Sequence, residues 1–120
     1  MSFSLALALS NLKLSKMGFF DIFKGNSVST EELKSIVNGG AFLVDVRSPG
    51  EFAGGSAKGA VNIPLDQVTQ KLDQFKNKSH IVVFCRSGNR SGQAKAILEN
   101  HGYTNVTNGG TWDTVANLQA

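Results

Sequence analysis

Cysteine is all but missing from this chain: Cys85 stands alone among 120 residues. A single thiol excludes an internal disulfide, so nothing in the cysteine count demands an oxidising compartment. It also excludes a multi-cysteine metal site, and with His80 and His101 as the only imidazoles no zinc constellation can be assembled. No metal and no cofactor are expected. Long hydrophobic runs are lacking too, and nothing approaches the length of a membrane-spanning helix. The net charge of +3 is mild, its cations form no run of five or more, and they are not interleaved with aromatics. Neither nucleic acid nor membrane is an expected partner; small anions are. What remains is ordinary for a folded protein: 41% apolar and 18% charged residues, in a length that suits one domain with a real core.

The first sixteen residues stand apart. Phe3 to Leu9 is apolar, but no Lys or Arg precedes it, it is shorter than a usual signal-peptide core, and Lys13 and Lys16 come after it. Met17-Gly18-Phe19-Phe20 reads as a natural start, which makes Met1 to Lys16 an over-extended start or an expression artefact. Residues 1–25 are accordingly read as an N-terminal extension and 26–120 as the domain. A cytoplasmic location is expected, with a periplasmic one as the alternative if residues 1–16 act as a leader. Phe19, Phe20, Ile22 and Phe23 lie at helical spacing and are expected to dock on the domain rather than on a membrane.

Along the domain, strands and helices alternate. Val28 is expected in a short strand. Ser29 or Thr30 caps a helix through Val37 that stops at Asn38-Gly39-Gly40. Ala41 to Val46 is an apolar run with Asp45 near its end and reads as a central parallel strand. Ser48-Pro49 starts a helical turn through Glu51-Phe52, Gly54 to Gly59 is loop, and Ala60 to Ile63 is a short strand stopped by Pro64. Leu65, Val68, Leu72 and Phe75 recur at helical spacing, which predicts an amphipathic α-helix over 65–75. His80 to Phe84 is a strand, and Ser91 to Asn100 is a helix closed at His101-Gly102. Val106 marks a last strand, Asn108-Gly109-Gly110 a turn, and Trp112 to Leu118 a terminal helix. The order implies an α/β fold with a mostly parallel sheet and helices on both faces, whose ligands bind beyond the carboxyl ends of the strands.

Cys85 sits at that edge, closing Ile81-Val82-Val83-Phe84 and opening the segment Arg86-Ser87-Gly88-Asn89-Arg90-Ser91. A thiolate is the reactive form of cysteine, and its pKa falls at a helix N-terminus or beside cations. Both conditions are met here: backbone amides from Arg86 to Ser91 can curl around the sulfur, and Arg86 and Arg90 add positive charge. Gly88 can take positive φ in the tight turn, and Ser91 is a good N-cap for the helix behind it. A lone cysteine ending an apolar strand is ordinarily an inert small hydrophobe. Two arginines, a glycine and a helix start within six residues are poorly explained by packing. Asp45, Arg47 and Glu51 are supporting candidates, with Arg47 and Glu51 expected to pair and hold the loop after the strand. Trp112 is read as core rather than pocket mouth, and His80 and His101 as surface residues.

Asp45-Val46-Arg47 with Glu51-Phe52, then Gly59-Ala60-Val61-Asn62-Ile63-Pro64, the loop Cys85 to Ser91 and Asn108-Gly109-Gly110 together resemble a single-domain rhodanese, in order from about Ser27 to the C-terminus. The resemblance implies a three-layer α/β sandwich around a five-stranded, mostly parallel sheet. It further implies a sulfurtransferase in which Cys85 takes the sulfane sulfur of thiosulfate or a similar anionic donor as a persulfide and passes it to cyanide or a thiol, a protein thiol included. The cradle from Arg86 to Ser91 would hold the persulfide, with Arg86 and Arg90 orienting the donor. Gly55-Ser56-Ala57 departs from the Gly-His-Ile of many relatives, which removes any hydrogen bond from that histidine.

Two rivals share a cysteine loop of this kind. A cysteine phosphatase or arsenate reductase also sets a thiolate under a ring of amides and an arginine. Here four residues separate Cys85 from Arg90, one fewer than in the tyrosine-phosphatase signature. A tighter ring suits one sulfur better than a tetrahedral oxyanion, and no Asp general acid stands on an identifiable mobile loop. The other rival is a persulfide carrier or interaction module, which would share the same intermediate.

Overall fold

The computed structural model describes residues 28–120. The expected boundary at residue 26, the apolar stretch 3–9 and the helical spacing of Phe19 to Phe23 lie outside the described residues. Ser29 caps helix α1 (Thr30–Asn38): its hydroxyl accepts from the Glu32 amide, and the Glu32 carboxylate accepts from the Ser29 amide. Strand β1 (Phe42–Asp45) follows, then the short helix α2 (Pro49–Ala53), capped in the same reciprocal way by Ser48 and Glu51. Strand β2 is Val61–Asn62 and strand β3 is Ile81–Cys85. Helix α3 (Asn89–Asn100), strand β4 (Val106–Thr111) and helix α4 (Trp112–Leu118) complete the chain.

The strands pair in the order β2-β1-β3-β4, all parallel, so Asp45, Asn62, Cys85 and Thr111 end at one edge of the sheet. Alternate residues of each strand point to opposite faces. Val44, Ile81, Val83 and Cys85 meet Val68 and Phe75 and, from α3, Ala94 and Leu98 on one face. Leu43, Val82 and Phe84 meet Leu33 and Val37 of α1 and Val115 of α4 on the other. The three layers expected from the order of elements are therefore present.

Five expectations are corrected. The sheet has four strands among the described residues, not five. Val28 packs its side chain against the α1 and α4 layer without joining a ladder, and the neighbouring Ser29 amide is taken by the Glu32 carboxylate at 3.2 Å. The segment Leu65–Phe75 is 3₁₀ rather than α-helical, broken at Lys71 with φ −123° and ψ 29°. Leu65 to Val68 and Leu72 to Phe75 are each three apart, the period of a 3₁₀ turn, and the break resets the phase so that Val68 and Phe75 both reach the core.

Asn108-Gly109-Gly110 is not a turn. It lies inside β4, with a register shift opposite Val83 and Phe84. A Cβ on Gly109 would lie 2.8 Å from Val115 and 2.9 Å from Val82, so only glycine lets sheet and helix approach this closely. Finally, α3 begins at Asn89 with Gly88 at its N-cap in the left-handed region (φ 95°), so the cap lies before Ser91, where it was expected. Gly102 beyond its end also has positive φ, as expected for a C′ glycine.

Candidate active site

Strand β3 carries Cys85 to the carboxyl edge, and the turn through Gly88 bends the chain back so that the first amides of α3 face the sulfur. The Gly88 amide donates to Sγ at 3.0 Å and the Ser91 amide at 3.4 Å, while Ser91 Oγ lies 3.4 Å from Sγ. Cys85 and Ser91 are both fully buried. Burial pushes the thiol up, but the Ser91 hydroxyl and the amides of Ser91, Ser87 and Gly88 together outweigh it, and the thiol lies below the ordinary cysteine value. The sulfur is thus at once part of the α3-side core and the focus of a ring of donors.

The rest of the loop divides by exposure. Arg86, Ser87 and Asn89 are exposed, and no carboxylate among the described residues pairs with Arg86. Arg90 is half-buried and forms a two-pronged pair with Glu51 of α2, at 2.8 and 3.1 Å. The Arg90 hydrogen bond, with help from the Ser48 amide, holds the Glu51 carboxyl at about 2 instead of 4.5, and Glu51 raises Arg90 in turn. The expected pairing of Arg47 with Glu51 is overturned.

Arg47 pairs instead with Asp45, its Nε within 3.0 Å of both carboxylate oxygens and its Nη2 2.7 Å from Oδ2. Nη2 also donates to the Gly55 carbonyl, Ser56 Oγ donates to Asp45 Oδ2 at 2.7 Å, and the guanidinium lies 5.1 Å from the centre of the Trp112 ring. Asp45 shares the α4 face with Leu43, whereas Cys85 points to the α3 face. The buried Asp45–Arg47 pair therefore closes the 54–59 loop and does not join the sulfur, while Glu51 reaches the loop only through Arg90. Trp112, half-buried, packs on this network and on the α4-side core. His101 is exposed, and His80 is half-buried with Nε2 2.7 Å from Thr107 Oγ1. Beside the loop opens a cleft of about 610 Å³, walled by Val46, Pro49, Pro64, Leu65 and Ile97, with Arg90 as its one loop residue.

The family model for the rhodanese-like domain matches residues 29–110, more than half of the chain. The chain belongs to the rhodanese-like family.

Among relatives, an uncharacterized protein, YqhL, of Bacillus subtilis (strain 168) is 40% identical over 68 residues, covering 57% of this chain and 54% of its own. The thiosulfate sulfurtransferase PspE of Escherichia coli (strain K12) is 40% identical over 75 residues, 61% of this chain and 72% of its own. The crystal structure of reduced Bacillus anthracis CoADR-RHD superposes with a TM-score of 0.68 at 31% identity, over 85% of this chain and 18% of that one. The chain thus spans about half the length of the Bacillus subtilis relative (54%).

Two polar residues of this rhodanese-like domain quoted from its sequence were given no place in the site there. Ser56, marked only as a departure from the resemblance, supplies a hydrogen bond to Asp45. Asn108, placed in a turn by its two following glycines, is instead aimed at the loop: its Oδ1 accepts from Ser91 Oγ and its Nδ2 donates to the Gly88 carbonyl. No local pattern distinguishes it, because the residues it touches are remote in the chain.

Proposed function

We propose that this rhodanese-like domain is a sulfurtransferase that moves a sulfane sulfur from thiosulfate or a similar anionic donor to cyanide or a thiol through a persulfide on Cys85. The observation that carries the reading is the sulfur at the end of β3 receiving the Gly88 and Ser91 amides, with its pKa lowered despite full burial. The name of the Escherichia coli relative supports the same donor. In the first half-reaction the thiolate attacks the outer sulfur of thiosulfate, an S–S bond forms to Cys85, the donor's S–S bond breaks and sulfite leaves with its electron pair. In the second, cyanide attacks the outer persulfide sulfur, thiocyanate leaves and the thiolate returns. No general base is needed for an already ionised nucleophile, and two displacements on one enzyme give ping-pong kinetics.

Arg86, exposed and without a carboxylate partner among the described residues, is the cation that meets the donor first, and Arg90 contributes from the cleft wall. Ser87, Gly88, Asn89 and Ser91 complete the cradle. Glu51 supports it through Arg90, while Asp45 and Arg47 hold the neighbouring 54–59 loop. The activity is assigned to residues 26–120 and gives residues 1–25 no part in the chemistry.

The test is intact-mass spectrometry after incubation with thiosulfate, followed by cyanide and a thiocyanate assay. One added sulfur on Cys85, absent in Cys85→Ser and discharged by cyanide, is the expected result. Sulfur uptake without turnover to small acceptors would make the domain a carrier. Phosphate release from an aryl phosphate without sulfur uptake would make it a phosphatase. No sulfur on Cys85 of the reduced, folded protein overturns the reading.

A further inference from the structure

Ser91 Oγ carries one proton and lies between two acceptors, Asn108 Oδ1 at 2.7 Å and Cys85 Sγ at 3.4 Å. The orientation of the Asn108 amide is fixed by two backbone groups of opposite polarity. The Gly110 amide donates to Oδ1 at 2.9 Å, and Nδ2 donates to the Gly88 carbonyl at 3.1 Å. Turning the side chain over would set Oδ1 against a carbonyl and Nδ2 against an N–H, which neither contact tolerates. Oδ1 therefore faces Ser91 and can only accept, so the serine proton lies on the asparagine side. While that proton stays with Asn108, the hydroxyl withholds from the sulfur the stabilisation that donating to a thiolate would bring. For the same hydroxyl to stabilise a thiolate its proton must turn to the sulfur, and the 2.7 Å bond to Asn108 must break. Ser91 and Cys85 are both fully buried, so solvent does not stand in for either partner.

We propose that Asn108 competes with Cys85 for the Ser91 proton and, as a positioning residue acting through Ser91, sets how readily the sulfur ionises. This deepens the sulfurtransferase reading and rests on its thiolate nucleophile. Besides the backbone amides that donate to the sulfur, the ionisable side chains nearest it act by charge. Arg90 of α3 is partnered by Glu51 of α2, Asp45 of β1 is partnered by Arg47, and Arg86 is exposed in the loop. Helix α4, which carries the exposed Asp113, packs on the opposite face of the sheet. Strand β4, Val-Thr-Asn-Gly-Gly-Thr, brings no ionisable side chain. Its one contact with the proton balance is Asn108.

The experiment is the pH dependence of Cys85 alkylation by iodoacetamide in the folded full chain, with circular dichroism as the fold control. Asn108→Ala and Asn108→Leu release the serine proton to the sulfur and lower the alkylation midpoint by about half to one pH unit. In a Ser91→Ala background the same substitutions leave the midpoint where Ser91→Ala alone puts it. Asn108→Asp, a stronger acceptor with a negative charge, raises the midpoint. A merely structural asparagine would lower the melting temperature without a downward move of the midpoint. A midpoint that is unchanged or higher in whichever neutral variant folds, or an equal fall in the Ser91→Ala background, overturns the proposal; if neither neutral variant folds, an unmoved midpoint in Asn108→Asp does so. Alkylation needs no sulfur donor, so failure to load sulfur from thiosulfate would sink the sulfurtransferase reading and leave this one to its own measurement.

Discussion

Two fully buried side chains at the carboxyl edge of the sheet face opposite layers and do different work. Cys85 gains amides from the chain that follows it, and its position was legible because a strand end, a glycine and a helix start are all within a few residues. Asp45 gains Arg47, whose Nε and Nη2 both reach its carboxylate, and the Ser56 hydroxyl. Arg47 is only 5% exposed, so its charge has no recourse to water when that partner is removed. Asp45→Ala leaves a buried cation uncompensated and is expected to cost about 3–5 kcal/mol in chemical denaturation. Asp45→Asn, which keeps an acceptor oxygen, should cost less. Sulfur loading by whatever fraction of either variant stays folded should be unaltered, since Asp45 faces away from the sulfur.

Helices α2 and α3 are joined at their first turns by the Glu51–Arg90 pair, which ties the turn after β1 to the cysteine loop after β3. The helical turn starting at Ser48-Pro49 was readable from its residues, because proline and serine settle a helix start within one turn. The partner of Glu51 was not, because Arg47 lies four residues away in sequence but is drawn into the sheet by Asp45. Glu51 is held at about 2 against an ordinary 4.5, mainly by its hydrogen bond from Arg90. A depressed carboxyl pKa contributes stability that is complete above the unfolded value of 4.5 and disappears as pH falls through about 2. Melting temperatures of the parent and Glu51→Gln should therefore differ most near neutrality, converge between those two values and coincide below the lower one. Parallel curves over the whole range would show that the pair contributes nothing; the partial exposure of both side chains makes the neutral-pH difference small.

Across the described residues, four parallel strands place their carboxyl ends on one edge, and the layer spacing sets how closely α4 can sit over it. Gly109 is the contact where β4, β3 and α4 converge. Gly109→Ala would drive a methyl to within 2.8 Å of Val115 and 2.9 Å of Val82. The expected loss is about 1–3 kcal/mol in denaturant unfolding, with partial recovery on Val115→Ala; an unchanged midpoint would mean that the layers part freely. The alternation of strands and helices, a helix start at Ser29 or Thr30, another at Ser48-Pro49 and the cysteine turn were legible from the residues alone, because periodicity, capping and turn chemistry act between near neighbours. The sequence also misjudged elements whose outcome depends on packing: the 3₁₀ segment and the bulged end of β4. Which groups meet was settled by the folded chain. Arg90 finds Glu51 across 39 positions, Asn108 reaches Gly88 across 20 and Ser91 across 17. Contacts at such separations exist only once the parallel sheet has closed and brought its carboxyl ends side by side.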